Sequence, residues 1–279
     1  MRRFGFHLSI AGSIANAPKE ALKMSYGAFQ IFTTSSRSWK NSQISPEDAA
    51  DFKKCTSGNG PKPFAHIPYL CNPASTNKIV YEKSRQMLVD NLKNCGSLGI
   101  DYLVIHLGSH LGSGVDIGID NICSMLNFSL DASEKVNILL ENGSGYKNCV
   151  GSKFSEIGKI IDNIGSNRIG VCFDTCHAFA AGYDMRTLQA VERTMEDFTS
   201  HISPSKLMAV HLNDAKYDFG SGLDRHFHIG KGYIGTGGFE SLFKNKIFES
   251  GSFIMELPED SLGSHSDDMN AVLSITKSA

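Results

Sequence analysis

Two side chains able to bind a metal or move a proton, Asp174 and His177, stand three residues apart in the stretch GVCFDTCHAFAAGYD, residues 170–184. The apolar run before them, residues 169–173, reads as a strand buried on both faces. A carboxylate ending such a strand is presented at the sheet edge. An imidazole one turn further on reaches a neighbouring point. The pattern recurs down the chain, because candidate strands end at His66, His106, Glu141, Asp174, His211 and Glu256. Three further donors, His177, Asp224 and His226, lie in segments that follow strands. Imidazole and carboxylate without cysteine suit Zn²⁺, Mn²⁺ or Fe²⁺, with zinc favoured where imidazole is abundant. A single residue of this kind is more often a cap, a salt-bridge partner or a satisfied core histidine. Six consecutive strand ends are not explained that way. Together the nine donors exceed the needs of one ion and suffice for two or three.

The elements that must position these groups are short apolar strands alternating with amphipathic helices. The predicted strands cover residues 3–8, 28–33, 63–66, 102–106, 136–141, 169–174, 207–211 and 252–256. Ser45, Pro46, Glu47 and Asp48 spell a helix start: a capping hydroxyl, a proline that fits the first turn, and acids at the positive end. Residues 77–98 carry Val80, Met87, Leu88, Leu92, Cys95 and Leu98 on one face, and Gly99 suits the stop. Helical spacing also marks residues 117–130, Phe154 to Ile164, Leu188 to Phe198, and Met269 to Ile275. Pro18 conflicts with a first helix starting at Ser13 and suits Asn16 as its cap. Eight strands with helices between them predict an α/β fold, and eight closes a (β/α)₈ TIM barrel. A chain of 279 residues fits one barrel or two smaller domains. No linker-like stretch divides it, so a single domain over residues 1–279 is expected. The Gly/Ser-rich segments 108–114, 143–145 and 220–222 all follow strands, where a barrel builds its active-site rim.

Composition narrows the function classes. A net charge of −2 gives no global nucleic-acid signature, so such a partner must be met by a local basic surface. The start MRRFGFHLS lacks a long apolar run and no stretch approaches a membrane span, so an intracellular, cytoplasmic protein is expected. The seven cysteines are odd in number and irregularly spaced, and read as reduced thiols. His7 also ends a strand and reads as orienting its neighbours by hydrogen bonds. His226 and His228 alternate, and only one need bind. His110, His201 and His265 lack such a context.

Several blocks together resemble the endonuclease IV family of apurinic/apyrimidinic (AP) endonucleases: FTTSSRSW, HIPYL, VIHLGSHLG, LLENGSGYKN, GVCFDTCHAFAAGYD, VHLNDAK, DRHFHIGKGYIG and IMELPED. Their order and spacing agree with that family nearly end to end. The resemblance implies a barrel that binds three zinc ions and cuts duplex DNA 5′ to abasic sites, leaving a 3′-hydroxyl and a 5′-deoxyribose phosphate. It also implies removal of 3′-blocking groups. By position in the motifs, His66 and His106 would bind one ion, and Asp174, His211 and Glu256 a second. Glu141 would bridge the two, and His177, Asp224 and His226 would hold the third. Manganese or iron can take some of these positions. Glu141 and Glu256 would be the catalytic carboxylates. Arg37 matches the position that probes the lesion, and Tyr69 and Leu70 match inserting positions. Trp39 reads as an anchor of its loop. Arg225 and Lys231 flank the third donor group and are candidates for phosphate contact. Leu257, Ala215 and Gly143-Ser144 depart from the usual family residues and bear on fine geometry. A monomer is expected, since a rim that grips bent duplex is best left open.

Two rival readings follow from the same residues. A metal-dependent sugar isomerase or epimerase would use one or two ions, and the group His177, Asp224 and His226 argues against it. A noncatalytic binder of damaged DNA would not need nine intact donors.

Overall fold

The computed structural model describes residues 1–41, 43–133 and 135–279. The chain begins β1 (Arg2–Phe6), α1 (Asn16–Lys23), β2 (Ala28–Phe32), α2 (Pro46–Thr56), β3 (Lys62–His66) and α3 (Lys78–Leu98). It continues β4 (Tyr102–His106), α4 (Val115–Ser129), β5 (Asn137–Glu141), α5 (Phe154–Ile164), β6 (Ile169–Asp174), α6 (Thr175–Ala181) and α7 (Leu188–His201). It ends β7 (Leu207–His211), β8 (Asp214–Ala215), β9 (His226–Phe227), α8 (Gly235–Lys244), β10 (Gly251–Met255) and α9 (His265–Ser278). Eight strands form one sheet in the order β1-β10-β7-β6-β5-β4-β3-β2, and every ladder in it is parallel. The edges β1 and β2 meet through a parallel bridge from His7 to Gln30. Leu8 N–H donates to Gln30 O at 2.8 Å and Gly27 N–H to Phe4 O at 2.9 Å, so the sheet curls into a (β/α)₈ barrel.

Strand parity explains why the barrel offers donors at one end. Ala28, Phe64, Val104, Leu139, Cys172, Ala209 and Ile254 form a buried apolar cluster of their own inside the barrel. Side chains on a strand repeat their facing every two residues. Two residues beyond these seven lie Gln30, His66, His106, Glu141, Asp174, His211 and Glu256. On β1 the same step leads from Gly5 to His7. One side chain per strand thus forms a polar layer above an apolar plug, at the C-terminal mouth. Gly5 is needed where the barrel closes, because a Cβ there would lie 1.6 Å from the Ala28 carbonyl oxygen.

The helix boundaries follow local chemistry. Ser45 Oγ accepts from Asp48 N–H at 3.0 Å. Asn77 Oδ1 accepts from Ile79 and Val80 N–H, and Gly99 ends α3 at φ 72°. The start of α1 differs from expectation. Asn16 is the first helical residue and its side chain donates to Ala11 O, while Ser13 Oγ accepts from Ala15 N–H. The Asn16 amide is thereby turned back toward the preceding loop and does not cap the first turn. β1 stops at Phe6 and β10 at Met255, each one residue before its polar group. Glu256 N–H leaves the ladder to donate to Asn213 Oδ1 at 2.8 Å.

The close approach at Gly5 gives a direct test. Gly5→Ala should lower unfolding stability by about 3 kcal/mol or prevent folding, since backbone cannot yield as a flexible side chain can. Urea unfolding measures it, and a change under about 0.5 kcal/mol would show that β1 and β2 stand further apart than described.

Candidate metal centre

The polar layer resolves into three donor groups. His66, His106 and Glu141 form one, Glu141, Asp174, His211 and Glu256 a second, and Asp174, His177 and His226 a third. Glu141 divides its two oxygens between the first two. Its Oε2 lies 3.0 Å from His66 Nε2 and 3.4 Å from His106 Nε2. Its Oε1 lies 2.8 Å from His211 Nδ1. That same nitrogen is 3.3 Å from Glu256 Oε2 and 3.8 Å from Asp174 Oδ2. Asp174 Oδ2 also stands 3.5 Å from His226 Nε2, so this carboxylate joins the second and third groups. Asp224, half exposed, places its oxygens 3.2 Å from His177 Nε2 and 3.5 Å from His226 Nε2.

This arrangement fits divalent metal. Donors about 2.1 Å from a tetrahedral ion stand about 3.4 Å apart, the range seen across these groups. Three of the histidines have one nitrogen committed to a backbone carbonyl. Nδ1–H of His66 donates to Ile67 O at 2.7 Å, that of His177 to Asn142 O at 3.0 Å, and that of His226 to Glu256 O at 3.1 Å. A carbonyl oxygen only accepts, so the neutral ring carries its proton on Nδ1 and turns the lone pair of Nε2 toward the carboxylates. His177 Nε2 is buried and makes no hydrogen bond of its own. All seven cysteines are unpaired thiols, and none belongs to these groups.

Local structure places the donors. Asp174 caps α6 by accepting from His177 N–H at 2.7 Å, which fixes the three-residue spacing. Asn142, beside Glu141, exchanges two hydrogen bonds with the backbone of Asp174, at 2.7 and 3.0 Å. Asn213 Nδ2–H donates to Asp174 Oδ2 at 2.8 Å, while its Oδ1 receives Glu256 N–H. The carboxylate of Asp214 gathers N–H groups of Ala215, Gly230, Gly232, Ile234 and Gly235, fastening the loop that follows β9. Sequence reasoning named none of these. The signal was an amide directly after Glu141 and an amide and an acid two and three residues after His211.

The remaining candidates separate. Of the alternating pair, His226 is in the third group. His228 is buried between Asp268, 2.7 Å from Nδ1, and Asp260, 3.2 Å from Nε2. Tyr69 is 65% exposed at the mouth, its ring 6.2 Å from that of His66 and 6.1 Å from that of His106. Leu70 is half-buried against the core. Arg37 is exposed, and Trp39 packs on the core with Lys83 Nζ 5.7 Å from its ring centre. The Arg225 guanidinium donates to Asp224 O, and Lys231 Nζ to Leu262 O.

A family model described as a xylose isomerase-like TIM barrel matches residues 18–277. The chain is 45% identical over 260 residues to a probable endonuclease 4 of Methanoculleus marisnigri, covering 92% of each chain. It superposes on the crystal structure of endonuclease IV from Thermus thermophilus with a TM-score of 0.88 and 30% identity, covering 99% and 100% of the two chains. A D-tagatose 3-epimerase-like protein shares the fold, at a TM-score of 0.74 and 21% identity over 99% of this chain and 98% of the other. The fold and its donor-lined mouth therefore define a TIM barrel of the xylose isomerase-like class. Within that class, this chain belongs to the endonuclease IV family of AP endonucleases.

The charges of the bare donor set make a prediction. Burial alone would raise the Glu141 and Glu256 carboxyls, but surrounding imidazoles, chiefly His106 and His211 for Glu141 and His211 for Glu256, hold both well below the usual range. Burial would lower His177 and His211. Asp174 and Asp224 lift His177 well above its ordinary value, and Cys172, Glu256 and Glu141 do the same for His211. The carboxylates stabilise above about pH 4.3, and that contribution is lost as pH falls through their depressed values. The two histidines stabilise fully below about pH 6.5, and that contribution is lost as pH rises through their raised values. His7 and His106 are lowered by burial and act below this window. The chelated protein should therefore lose stability as pH rises above about 6.5, while the gain in Tm on adding zinc should grow, because metal displaces those protons. Parallel curves with and without metal would sever the histidines from metal binding.

Proposed function

We propose that this chain is a DNA-repair hydrolase that cuts the phosphodiester 5′ to abasic sites in duplex DNA, leaving a 3′-hydroxyl and a 5′-deoxyribose phosphate. The observation that carries this reading is Glu141, one oxygen facing each of two donor groups, with a third group beside them. Three zinc ions are assigned: one to His66 and His106, one to Asp174, His211 and Glu256, with Glu141 between them, and one to His177, His226 and Asp224. Manganese or iron can occupy some of these positions. The family relationship to proteins named endonuclease 4 supports the reading. A sugar epimerase shares the fold alone. Among the described residues, no helix is long and apolar enough to cross a membrane.

Divalent ions in these groups would neutralise non-bridging phosphate oxygens and activate water. The chain's own residues do the rest. Glu141 and Glu256 fix the negative charge of the centre and can hold and orient a water by hydrogen bonds. Asp174 ties the third group to the first two, so that both ends of an in-line displacement meet one rigid frame. The apolar plug below the donors keeps bulk water from the barrel interior. Tyr69 and Leu70 enter the gap left when the abasic nucleotide is extruded, which is cheap where pairing and stacking are already lost. Arg37 probes the lesion, and Arg225 and Lys231 meet phosphates from the rim. The same site clears 3′-blocking groups from strand ends. Residues 1–279 act as one domain, as a cytoplasmic monomer.

Purified protein on a labelled duplex with one tetrahydrofuran abasic analogue tests the reading. A cut immediately 5′ to the analogue, leaving a 3′-hydroxyl and abolished by chelation, is expected. The analogue cannot undergo β-elimination, so such a cut is hydrolytic. Bound metal without incision would send the assignment to the sugar-epimerase class. Tyr69→Ala should cut selectivity for abasic over intact duplex by about tenfold or more, as one lost stacking contact predicts, and leave metal content unchanged. Lost metal with unchanged selectivity would make Tyr69 a support of the centre and not a DNA contact.

A further inference from the structure

Seven of the eight side chains in the polar layer are imidazoles or carboxylates, and the eighth is an amide, Gln30 on β2. Gln30 is fully buried and spends both ends of its side chain on candidate ligands. Its Oε1 lies 2.9 Å from His211 Nε2. Its Nε2 lies 2.7 Å from Glu256 Oε1 and 3.0 Å from His7 Nδ1. The reverse amide orientation would set two oxygens against each other at Glu256, so the chemistry fixes which end faces which partner.

We propose that Gln30 is a positioning residue of the metal centre, its one amide setting His211 and Glu256 together. The inference rests on the reading of those two residues as metal ligands. An amide oxygen only accepts, so His211 must carry a proton on Nε2. A neutral imidazole has one N–H, which leaves the lone pair on Nδ1, the nitrogen facing Glu141 and Glu256. The amide N–H occupies Glu256 Oε1 and leaves Oε2 toward the centre, 3.3 Å from His211 Nδ1. The same amide nitrogen stands 3.0 Å from His7 Nδ1, which itself lies 3.3 Å from Glu256 Oε1, so His7 closes the group from the β1 side. Gln30 therefore sets the tautomer of one ligand and the rotation of another through a single rigid plane. A carboxylate at this place would add to the negative charge and compete for metal. An apolar one would strand the His211 Nε2–H without a partner.

Gln30→Leu and the near-isosteric Gln30→Met test this in the whole chain. Each removes the contacts to His211, Glu256 and His7 and keeps most of the volume. Zinc affinity is measured by competition with a chromophoric chelator, beside the wild type. Imidazole N–H resonances are followed in zinc-loaded protein labelled with ¹⁵N-histidine, the His211 signal being assigned with His211→Gln. The expected result is zinc affinity weaker by about 10- to 100-fold at the affected position and loss of the His211 Nε2–H resonance. The chelated variants should fold, with a Tm somewhat below the wild type because the His211 N–H loses its partner. A purely structural role would lower that Tm equally and leave affinity and resonance unchanged. If either variant folds and retains wild-type zinc affinity with the His211 signal intact, the proposal is overturned. If the wild type itself holds no zinc, the ligand assignment fails and takes the proposal with it. The wild-type measurement thus distinguishes the two failures.

Discussion

Buried negative charge governs this molecule. Glu141 and Asp174 are almost wholly removed from water, and Glu256 and Asp224 press on the same mouth. Carboxylates in a low-dielectric interior are strongly disfavoured unless cations or hydrogen bonds surround them. Here the compensation within the chain is imidazole, and the carboxylates around His177 and His211 favour their charged forms. Divalent ions answer that demand without protons. The cluster thereby joins stability to metal binding.

The barrel is the means by which such a cluster is assembled. Parallel strands deliver one side chain each at the same height, and the apolar residue two positions earlier closes the interior beneath. Backbone-directed amides then lock what the strands deliver. Asn142 binds both backbone groups of Asp174, and Asn213 ties Asp174 to the strand end at Glu256. Asp214 does the corresponding work for the loop after β9. These contacts join neighbouring strands at their C-terminal ends, where the sheet ladder has run out. Donor geometry within a few tenths of an ångström is a matter of this supporting shell as much as of the donors.

Much of this was legible in the sequence, for a physical reason. A strand buried on both faces is apolar until its end, so a histidine or acid there stands out, and six did. The cap at Ser45 and the stop at Gly99 were readable because they are local. Gln30 was not read, since one polar residue inside AFQIF carries no meaning until the register of eight strands is known. Alternation alone did not separate His226 from His228, and only the family motif favoured His226, because what removes His228 is Asp268, 40 residues away on α9. The β8–β9 hairpin has two residues per strand, too few for any alternation to show. Asn16 misled because a good capping residue sits beside a better local solution through Ser13.

The central claim is that Glu141 holds two donor groups together with one carboxylate. The most direct measurement is on Glu141→Gln, with metals counted per chain and turnover on abasic duplex followed in the same preparation. The account predicts a folded barrel with fewer bound ions, and turnover lower by at least about 100-fold. Glutamine keeps the shape and removes the shared charge. A variant with full metal content and near-normal turnover would contradict the account.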